Sequence, residues 1–268
     1  MSNIDAVNAL ITAINFDRFA EIEAQHQPDA YFASFRGPTL NDSVSIADWH
    51  REFLRDYADC NYTELEYVED GETVALRATI EAKNYQWRPF TQRVVEVLGL
   101  RDEGVADRRL YGMLADVELD KVATASMANA TGFKGGSAST TKTAIKGFYA
   151  ALLAGNLDEA KGFLHEKAAL VDSVYGITVG PDNMVDLLSR IPKPLFGYWR
   201  VTDVFAGAKD GVAELAIEPR RPRRADWVRM VDGKIAIIET YWMLREIGVD
   251  AMIDKQGERF IKAVILPI

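Results

Sequence analysis

The sequence predicts an α+β protein made of two tandem copies of one small domain. Each copy is expected to be a cone-shaped α+β barrel, in which a highly curved antiparallel sheet packs on about three helices. Two observations indicate this class: a small, polar, glycine-bearing segment divides the chain near its middle, and the same order of helix-like and strand-like patterns occurs on both sides of it. The length of 268 residues is long for one core and comfortable for two domains.

The dividing segment spans residues 123–142 and contains almost no bulky apolar side chain. Such a segment cannot bury enough surface to offset its ordering entropy, so it is predicted to be a linker. The first domain is then 1–122 and the second is 143–248. Residues 249–268 are amphipathic and end in an apolar run, so we expect a helical or apolar tail that docks on the body.

Each predicted domain opens with helices. Apolar residues recur at helical spacing over 4–14 in the first copy and over 145–153 in the second. Each stripe runs into a shorter helix, a strand candidate and then a third helix, predicted over 46–57 and 182–191. In the first copy the third helix places three aromatic residues on one face: Trp49, Phe53 and Tyr57.

The remainder of each copy is strand-like. Glycine-containing hairpin turns are predicted at four places: 69–71, 103–104, 209–211 and 232–233. The last strand of each copy carries Tyr-x-Met-Leu, at 111–114 and 241–244. Runs such as 94–100 are apolar on both faces, which predicts a covered convex side. Packing of the two copies sheet against sheet would supply that cover and form an intrachain pseudo-dimer.

Composition excludes several classes of function. The net charge of −9 argues against a nucleic-acid surface, which needs a basic stripe. The single Cys60 and the three histidines form no spaced metal motif, and phosphate loops and nucleophile elbows are missing. We therefore predict no metal and no cofactor. No apolar stretch approaches the ~20 residues needed to cross a bilayer, so neither a membrane nor a secretory route is predicted and the cytoplasm is the default compartment.

The element order resembles the nuclear transport factor 2-like superfamily, in particular its SnoaL-like polyketide cyclase branch. Asp-Gly-Lys-Ile at 232–235, which leads into a terminal Glu-x-Tyr strand at 239–241, is part of that resemblance. It covers most of 4–120 and 141–247 and rests on many weak signals, without a unique motif. The resemblance implies a pocket that hosts cofactor-independent isomerases, cyclases, dehydratases, epoxide hydrolases and lyases on apolar or aromatic substrates, although many members only bind.

One departure from that family pattern affects the expected chemistry. SnoaL-like enzymes often place an acid two residues after the last-strand tyrosine, where it serves as the general base. Met113 and Met243 occupy those positions here. Any catalysis must therefore use other residues, or one copy has lost it.

Ionisable residues inside apolar strands are the candidates for chemistry, because a charge on a buried sheet face is costly unless it is paired. An arginine beside a tyrosine can stabilise an oxyanion, and a nearby carboxylate or histidine can move a proton. The alternatives are an ion-pair ladder on an exposed strand face and a structural histidine. The predicted catalytic residues are Arg77, Arg93, Tyr111, Glu96 and His50.

The predicted substrate-binding residues are mostly aromatic or share a face with a last-strand tyrosine: Tyr31, Trp49, Tyr57, Trp87, Arg109, Met113, Glu214 and Tyr241. Glu214 takes the place of Arg77 in the second copy, so either the pockets differ chemically or these residues pair across the pseudo-dimer. The basic run at 220–224 is predicted to be a solvated loop or an anion-binding rim. Its counterpart at 84–90 is aromatic, which makes the first copy the preferred ligand site.

Two hypotheses of function follow. The first is a cofactor-independent lyase, isomerase or dehydratase that acts by acid–base chemistry on a small apolar, aromatic molecule; a lignin-type diaryl compound is one candidate substrate. The second is a protein of the same fold that binds a small molecule or scaffolds a partner without turnover, and Met113 and Met243 favour it. A homo-oligomer stays open in both.

Overall fold

The structure is a computed structural model and describes residues 2–35, 37–84, 87, 89–113, 136–172, 176–190, 199–216 and 222–243. These residues form two compact units, the first within 2–112 and the second within 136–242. Each unit combines three helices with an antiparallel sheet, so the predicted α+β class with two tandem copies is confirmed. The predicted tail at 249–268 lies outside the described residues.

The helices of the first unit are α1 (Asn3–Asn15), α2 (Phe19–Gln25) and α3 (Ser43–Asp56). Its strands are β1 (His26–Ser34), β2 (Thr39–Leu40), β3 (Tyr57–Asp70), β4 (Thr73–Asn84), β5 (Pro89–Arg101) and β6 (Gly104–Gly112). Strands β3 to β6 form an antiparallel meander, β1 joins β6 in parallel, and β2 pairs with β1. The sheet is open rather than closed into a barrel, with its helices packed on one face.

The helices of the second unit are α4 (Ala138–Ala154), α5 (Leu157–Gly162) and α6 (Pro181–Arg190). Its strands are β7 (Leu164–Asp172), β8 (Gly176–Val179), β9 (Arg200–Ala206), β10 (Asp210–Ala216), β11 (Arg224–Val231) and β12 (Lys234–Trp242). Strands β9 to β12 form the meander, β7 joins β12 in parallel, and β8 pairs with β7. The topology repeats that of the first unit.

Two local expectations change. Helix α4 begins at Ala138, inside the predicted linker 123–142, because Ser137 and Thr140 form a reciprocal capping box; residues 123–135 are not among those described. The turn predicted at 209–211 lies earlier in the chain, since β9 ends at Ala206, Gly207 donates to the Asp210 carbonyl, and Gly211 lies within β10. A Cβ at Gly211 would come within 2.5 Å of Ile145 Cδ1, so this glycine allows α4 to approach the strand closely.

The turns predicted at 69–71, 103–104 and 232–233 are confirmed, and at the first of them Gly71 has a φ value of 63° between β3 and β4. Asp102 and Glu103 have φ values of 50° and 63°, and Asp232 and Gly233 have φ values of 49° and 76°. Two consecutive residues with positive φ match the turn that suits a tight β-hairpin. None of the helices within the described ranges is long and apolar enough to cross a membrane.

Candidate functional site

A pocket lies in the first unit between α3 and the helix-facing side of the sheet. Its lining is mostly apolar, and four of the lining residues carry a hydroxyl, imidazole or thiol group: Ser34, His50, Cys60 and Tyr62. The remaining lining residues are Ile14, Phe35, Trp49, Phe53, Ile80 and Leu110. The pocket contains about 330 Å³ of empty space, counted with its opening to solvent, and its enclosed part has room for about one water molecule.

An aromatic wall runs along one side of this pocket. Ring centroids are separated by 5.0 Å between Phe32 and Trp49, by 5.3 Å between Trp49 and Phe53, and by 4.7 Å between Phe53 and Tyr57. Tyr57 then approaches Phe90 at 4.9 Å. Side chains four residues apart on a helix are neighbours, which explains why this stripe could be predicted from spacing alone.

A buried ion pair lies behind the pocket. Arg108 Nε donates to Glu96 Oε2 at 2.7 Å and Arg108 Nη2 donates to Oε1 at 3.1 Å. The Tyr62 hydroxyl donates to Glu96 Oε1 at 2.6 Å. Neither charged side chain has any exposed surface. A buried pair of this kind is tolerable because each charge compensates the other and the carboxylate oxygens are hydrogen-bonded.

His50 connects this ion pair to the pocket. It lies on the buried stripe of α3 together with Ile46 and Ala47, and its Nε2 is 2.8 Å from Arg108 Nη1. A guanidinium only donates hydrogen bonds, so Nε2 accepts and the proton of the neutral imidazole is carried by Nδ1. Burial, followed by the charge of Arg108 and the proximity of His26, holds the pKa of His50 well below 6.5.

The other titratable groups near the site are also held uncharged. His26 donates from Nδ1 to the Ile22 carbonyl at 2.7 Å, and burial followed by the charge of Arg108 lowers its pKa to about 4. Burial raises the pKa of the Cys60 thiol to about 12. Burial, followed by the charge of Glu96, raises the pKa of Tyr62 well above 10. At neutral pH these four side chains are therefore uncharged.

Strand register explains how these residues meet. Leu110 lies opposite Glu96, and Arg108 lies opposite Leu98, so Glu96, Arg108 and Leu110 share the helix-facing side. Gly112 continues this side, where a Cβ would come within 2.6 Å of the Phe35 ring. The glycine is therefore what allows Phe35 to lie against the end of β6 at the edge of the pocket.

The structure brings together several of the predicted site residues. Trp49 and His50 line the pocket, Glu96 lies behind it, and Tyr57 continues the aromatic wall. This placement does not test their roles in binding or catalysis, which stay predictions.

Other predicted residues of the first unit lie away from this pocket. Arg109 and Tyr111 do share a face, as expected, but it is the face opposite to Arg108 and Leu110. Arg77 lies two residues from Thr79 on β4, and Arg93 lies across from Thr79 on β5. Both arginines are therefore on the sheet face that Thr79 occupies, and the pocket-lining Ile80 is on the other face. Their predicted catalytic roles gain no support from this placement.

The partners of these residues indicate structural roles. Arg77 donates to Glu66 at 2.7 Å, and Arg109 pairs with Asp107. Tyr31 lies on β1, across from Asp107 of β6 and next to the helix-facing Phe32. Trp87 is 71% exposed, with Lys83 Nζ 5.8 Å from its ring centroid, and Met113 is buried but does not line the pocket.

In the second unit, Glu214 and Tyr241 are buried on the face opposite to the helices. Glu214 and Tyr241 both lie across from Ala225, whereas the neighbouring Asp226 bonds to helix α4 through Tyr149. The Tyr241 hydroxyl donates to Glu239 Oε2 at 2.7 Å. Neither predicted binding residue therefore lies on the helix-facing side of its sheet.

A second buried cluster occupies the helix-facing side of this unit. Arg224 donates from Nε and Nη2 to the two carboxylate oxygens of Asp226, each at 2.7 Å, and Tyr149 donates to Asp226 as well. The guanidinium lies 5.3 Å from the Trp242 ring and 5.9 Å from that of Trp199. This corrects the prediction of a solvated loop for the end of the basic run 220–224, because Arg224 begins β11 and is buried; residues 220 and 221 lie outside the described ranges.

The sequence analysis missed Arg108, Tyr62 and Arg224, which hold the two clusters together. Arg108 adjoins Arg109 in the sequence, and only the strand parity distinguishes them. The available signal was Gly112, since a glycine in a strand often marks a close approach by another group. It shares its face with Arg108 and not with Arg109.

No protein-family model matches the chain, and no curated protein matches it. The chain is similar to solved structures of the nuclear transport factor 2-like kind. One, from Catenulispora acidiphila, is described as a hypothetical protein with a ketosteroid isomerase-like fold in complex with trimethylamine; it is 17% identical, and the match covers 40% of this chain and 83% of that chain with a TM-score of 0.38.

Two further solved structures are similar in the same way. A protein from Pseudomonas putida described as a putative polyketide cyclase is 14% identical, over 42% of this chain and 93% of that chain, with a TM-score of 0.40. A protein of unknown function from Burkholderia pseudomallei described as NTF2-like is 18% identical, over 42% of this chain and 92% of that chain, with a TM-score of 0.39. Each of these matches covers about 40% of this chain, and nothing about activity follows from it.

Proposed function

We propose that the first unit binds a small, largely apolar molecule and acts on it by cofactor-independent acid–base chemistry, as a lyase, isomerase or dehydratase. One contact carries the proposal: the hydroxyl of Tyr62, which lines the pocket, is hydrogen-bonded at 2.6 Å to the buried carboxylate of Glu96. This arrangement can take a proton from a ligand without exposing a charged base to the pocket.

The proposed step moves two protons in one direction. A C–H bond next to a carbonyl breaks, its proton passes to the Tyr62 oxygen, and the proton of Tyr62 passes to Glu96. The electron pair of the broken bond moves to the ligand oxygen as an enolate. The proton then returns from Glu96 through Tyr62, either to another carbon of the ligand or to a departing hydroxide, which leaves as water. Protonation of Glu96 leaves the positive charge of Arg108 without its partner, and that charge stabilises the new anion.

The size of the pocket limits the ligand. Its enclosed part accommodates about one water molecule, so a ring can enter only if an aromatic side chain such as Phe35 or Trp49 moves outward. Single-ring compounds therefore fit this proposal better than lignin-type diaryl compounds do.

A second candidate function is binding without turnover. It is favoured by the burial of Glu96, whose two oxygens already accept hydrogen bonds from Arg108 and Tyr62. A carboxylate that is fully paired in this way stabilises the fold whether or not it ever takes a proton.

The two candidates are separated by turnover of small cyclic ketones. Cyclohex-3-enone, which isomerises, and 3-hydroxycyclohexanone, which loses water, are suitable substrates because both give cyclohex-2-enone, which absorbs in the ultraviolet. We expect Tyr62→Phe and Glu96→Gln to lower kcat by about 100-fold or more, since each removes a proton-transfer group. Tyr67→Phe is the matched control. Tyr67 lies on β3, as Tyr62 does, but it does not line the pocket and its hydroxyl donates to Asn8.

Turnover that survives Tyr62→Phe would overturn the proton-transfer role. Binding of these ketones by the wild-type protein without any turnover would favour the second candidate.

A further inference from the structure

The nitrogen of His50 that faces away from the ion pair is a buried donor without a partner among the described residues. His50 is 1% exposed, it lines the pocket, and its Nδ1 makes no hydrogen bond within that part of the chain. Its other nitrogen, Nε2, accepts from Arg108 at 2.8 Å, so the proton must be on Nδ1. A buried donor left without an acceptor is costly, and a ligand that offers an acceptor removes that cost.

The charges around this donor indicate which acceptor fits. Arg108 is balanced by Glu96, Tyr62 is protonated, and Phe32 and Trp49 cover the imidazole with their rings at centroid distances of 6.1 and 4.9 Å. A cationic ligand group would face an N–H donor with an arginine behind it. A fully anionic group would lose its hydration without meeting a net positive charge.

We infer that Arg108 fixes the tautomer of His50 and thereby makes the pocket select ligands with a neutral carbonyl oxygen, which accepts from His50 Nδ1. For this selection Arg108 is a positioning residue, since it affects the binding of the carbonyl oxygen through the imidazole that it orients. The inference rests on the proposed function insofar as the pocket must bind a small molecule, but it does not require turnover.

The first test observes the tautomer directly. The chain has three histidines, so ¹⁵N-histidine labelling and two-bond proton–nitrogen NMR spectra resolve the state of each ring. We expect His50 to carry its proton on Nδ1 in the wild-type protein and in Arg108→Lys, because lysine also only donates. In the double variant Arg108→Gln/Glu96→Gln, which keeps the site uncharged, a glutamine amide can donate or accept and the tautomers should mix.

The second test measures selection with three probes of one shape: cyclohexanone, methylenecyclohexane, which lacks the acceptor, and cyclohexylamine, which is cationic at pH 7. We expect the wild-type protein to bind cyclohexanone about tenfold more tightly than methylenecyclohexane, as one recovered hydrogen bond predicts. Cyclohexylamine should bind most weakly. His50→Asn places an amide near the Nδ1 position and should keep part of the preference, whereas His50→Leu should abolish it.

Three results would overturn the inference: a proton on Nε2 of His50 in the wild-type protein, equal affinities for the ketone and the alkene, or a ketone preference that survives His50→Leu. Selection of the ketone without turnover would reject the acid–base proposal and leave this inference standing. Turnover without ketone selection would reject this inference and leave the acid–base proposal standing. Failure of all three probes to bind would reject the inference and the acid–base proposal together.

Discussion

The two units bury the same kind of cluster at the same place in the fold, but they assemble it from different elements. In the first unit the carboxylate of Glu96 lies across from Leu110, and in the second the carboxylate of Asp226 lies across from Thr240. Both cross-strand partners directly precede the tyrosine of the last strand. The helix-facing acid is therefore a common feature of the two copies.

The partners of the two acids come from different positions. The first carboxylate is paired by Arg108 of β6 and by a tyrosine of β3, whereas the second is paired by Arg224 of its own strand and by Tyr149 of α4. A buried carboxylate needs a cation and further donors, but several neighbouring positions can supply them. The comparison indicates that the position of the acid is fixed by topology and that its pairing is not.

The residue after the last-strand tyrosine distinguishes the surroundings of the clusters. In the first unit this residue is Gly112, which leaves space that the Phe35 ring and the pocket share. In the second unit it is Trp242, whose ring lies 5.3 Å from the Arg224 guanidinium and 5.8 Å from the Trp199 ring. The first cluster thus borders a pocket, and the second is covered by indole rings.

The largest expected effect is loss of either arginine. Arg108→Met and Arg224→Met each leave a buried carboxylate unpaired, so we expect each to lower the free energy of unfolding of its own unit by about 3–5 kcal/mol. Arg108→Met/Glu96→Gln should recover much of that loss, because no net charge remains buried. Urea titrations, monitored by hydrogen exchange in peptides of each unit, measure this. If only one of the two arginine variants lost stability, the parallel between the clusters would be contradicted.

The next largest effect is that acid pH should destabilise the first unit more than the second, because the described part of the second cluster contains no histidine. The folded first unit holds the pKa of His26 at about 4, below its usual 6.5, so the unfolded chain binds that proton first as the pH falls. Stability is therefore fully present above pH 6.5 and is lost between pH 6.5 and about 4, by about 3 kcal/mol in total for this residue, with His50 acting in the same direction.

Urea unfolding at several pH values checks this expectation. His26→Asn is the matched variant, since its amide can still donate to the Ile22 carbonyl but does not titrate in this range. An acid slope in the variant equal to that of the wild-type protein would show that His26 is not its source.

The smallest expected effect concerns the glycine that keeps the first pocket open. A Cβ at Gly112 would lie 2.6 Å from Phe35 Cδ2, so Gly112→Ala must displace that ring, and we expect a cost of about 1 kcal/mol together with weaker ligand binding. Gly162→Ala is a suitable control, because a Cβ there would meet nothing within 4 Å. Thermal unfolding and probe affinity measure the difference, and equal behaviour of the two variants would contradict a tight fit at Gly112.

The sequence was sufficient to predict the duplicated order of elements and the aromatic stripe of α3. These features depend on periodicity within one element, which side-chain spacing reveals directly. The stripe from Trp49 to Tyr57 and three of the four glycine hairpins were therefore predictable.

The sequence was insufficient to decide which strand residues face the helices. Strand β3 contains two register shifts, where Asp59 and Glu64 adopt positive φ values of 53°, and another shift lies between Gly99 and Leu100 of β5. Each shift can reverse the face on which the following residues lie. Counting by twos from the Tyr-x-Met-Leu run correctly places Arg109 on the face of Tyr111, but it does not reveal that this face lies opposite to the helices and that Arg108 lies on the helix-facing side.

The most direct measurement is a crystal structure of the protein soaked in cyclohexanone. The pairing and tautomer derived for the first unit predict one ring in its pocket, with the carbonyl oxygen about 3 Å from His50 Nδ1 and with Phe35 or Trp49 moved aside. A ring bound instead beside Asp226 in the second unit, or a carbonyl turned away from His50, would contradict the assignment of the site.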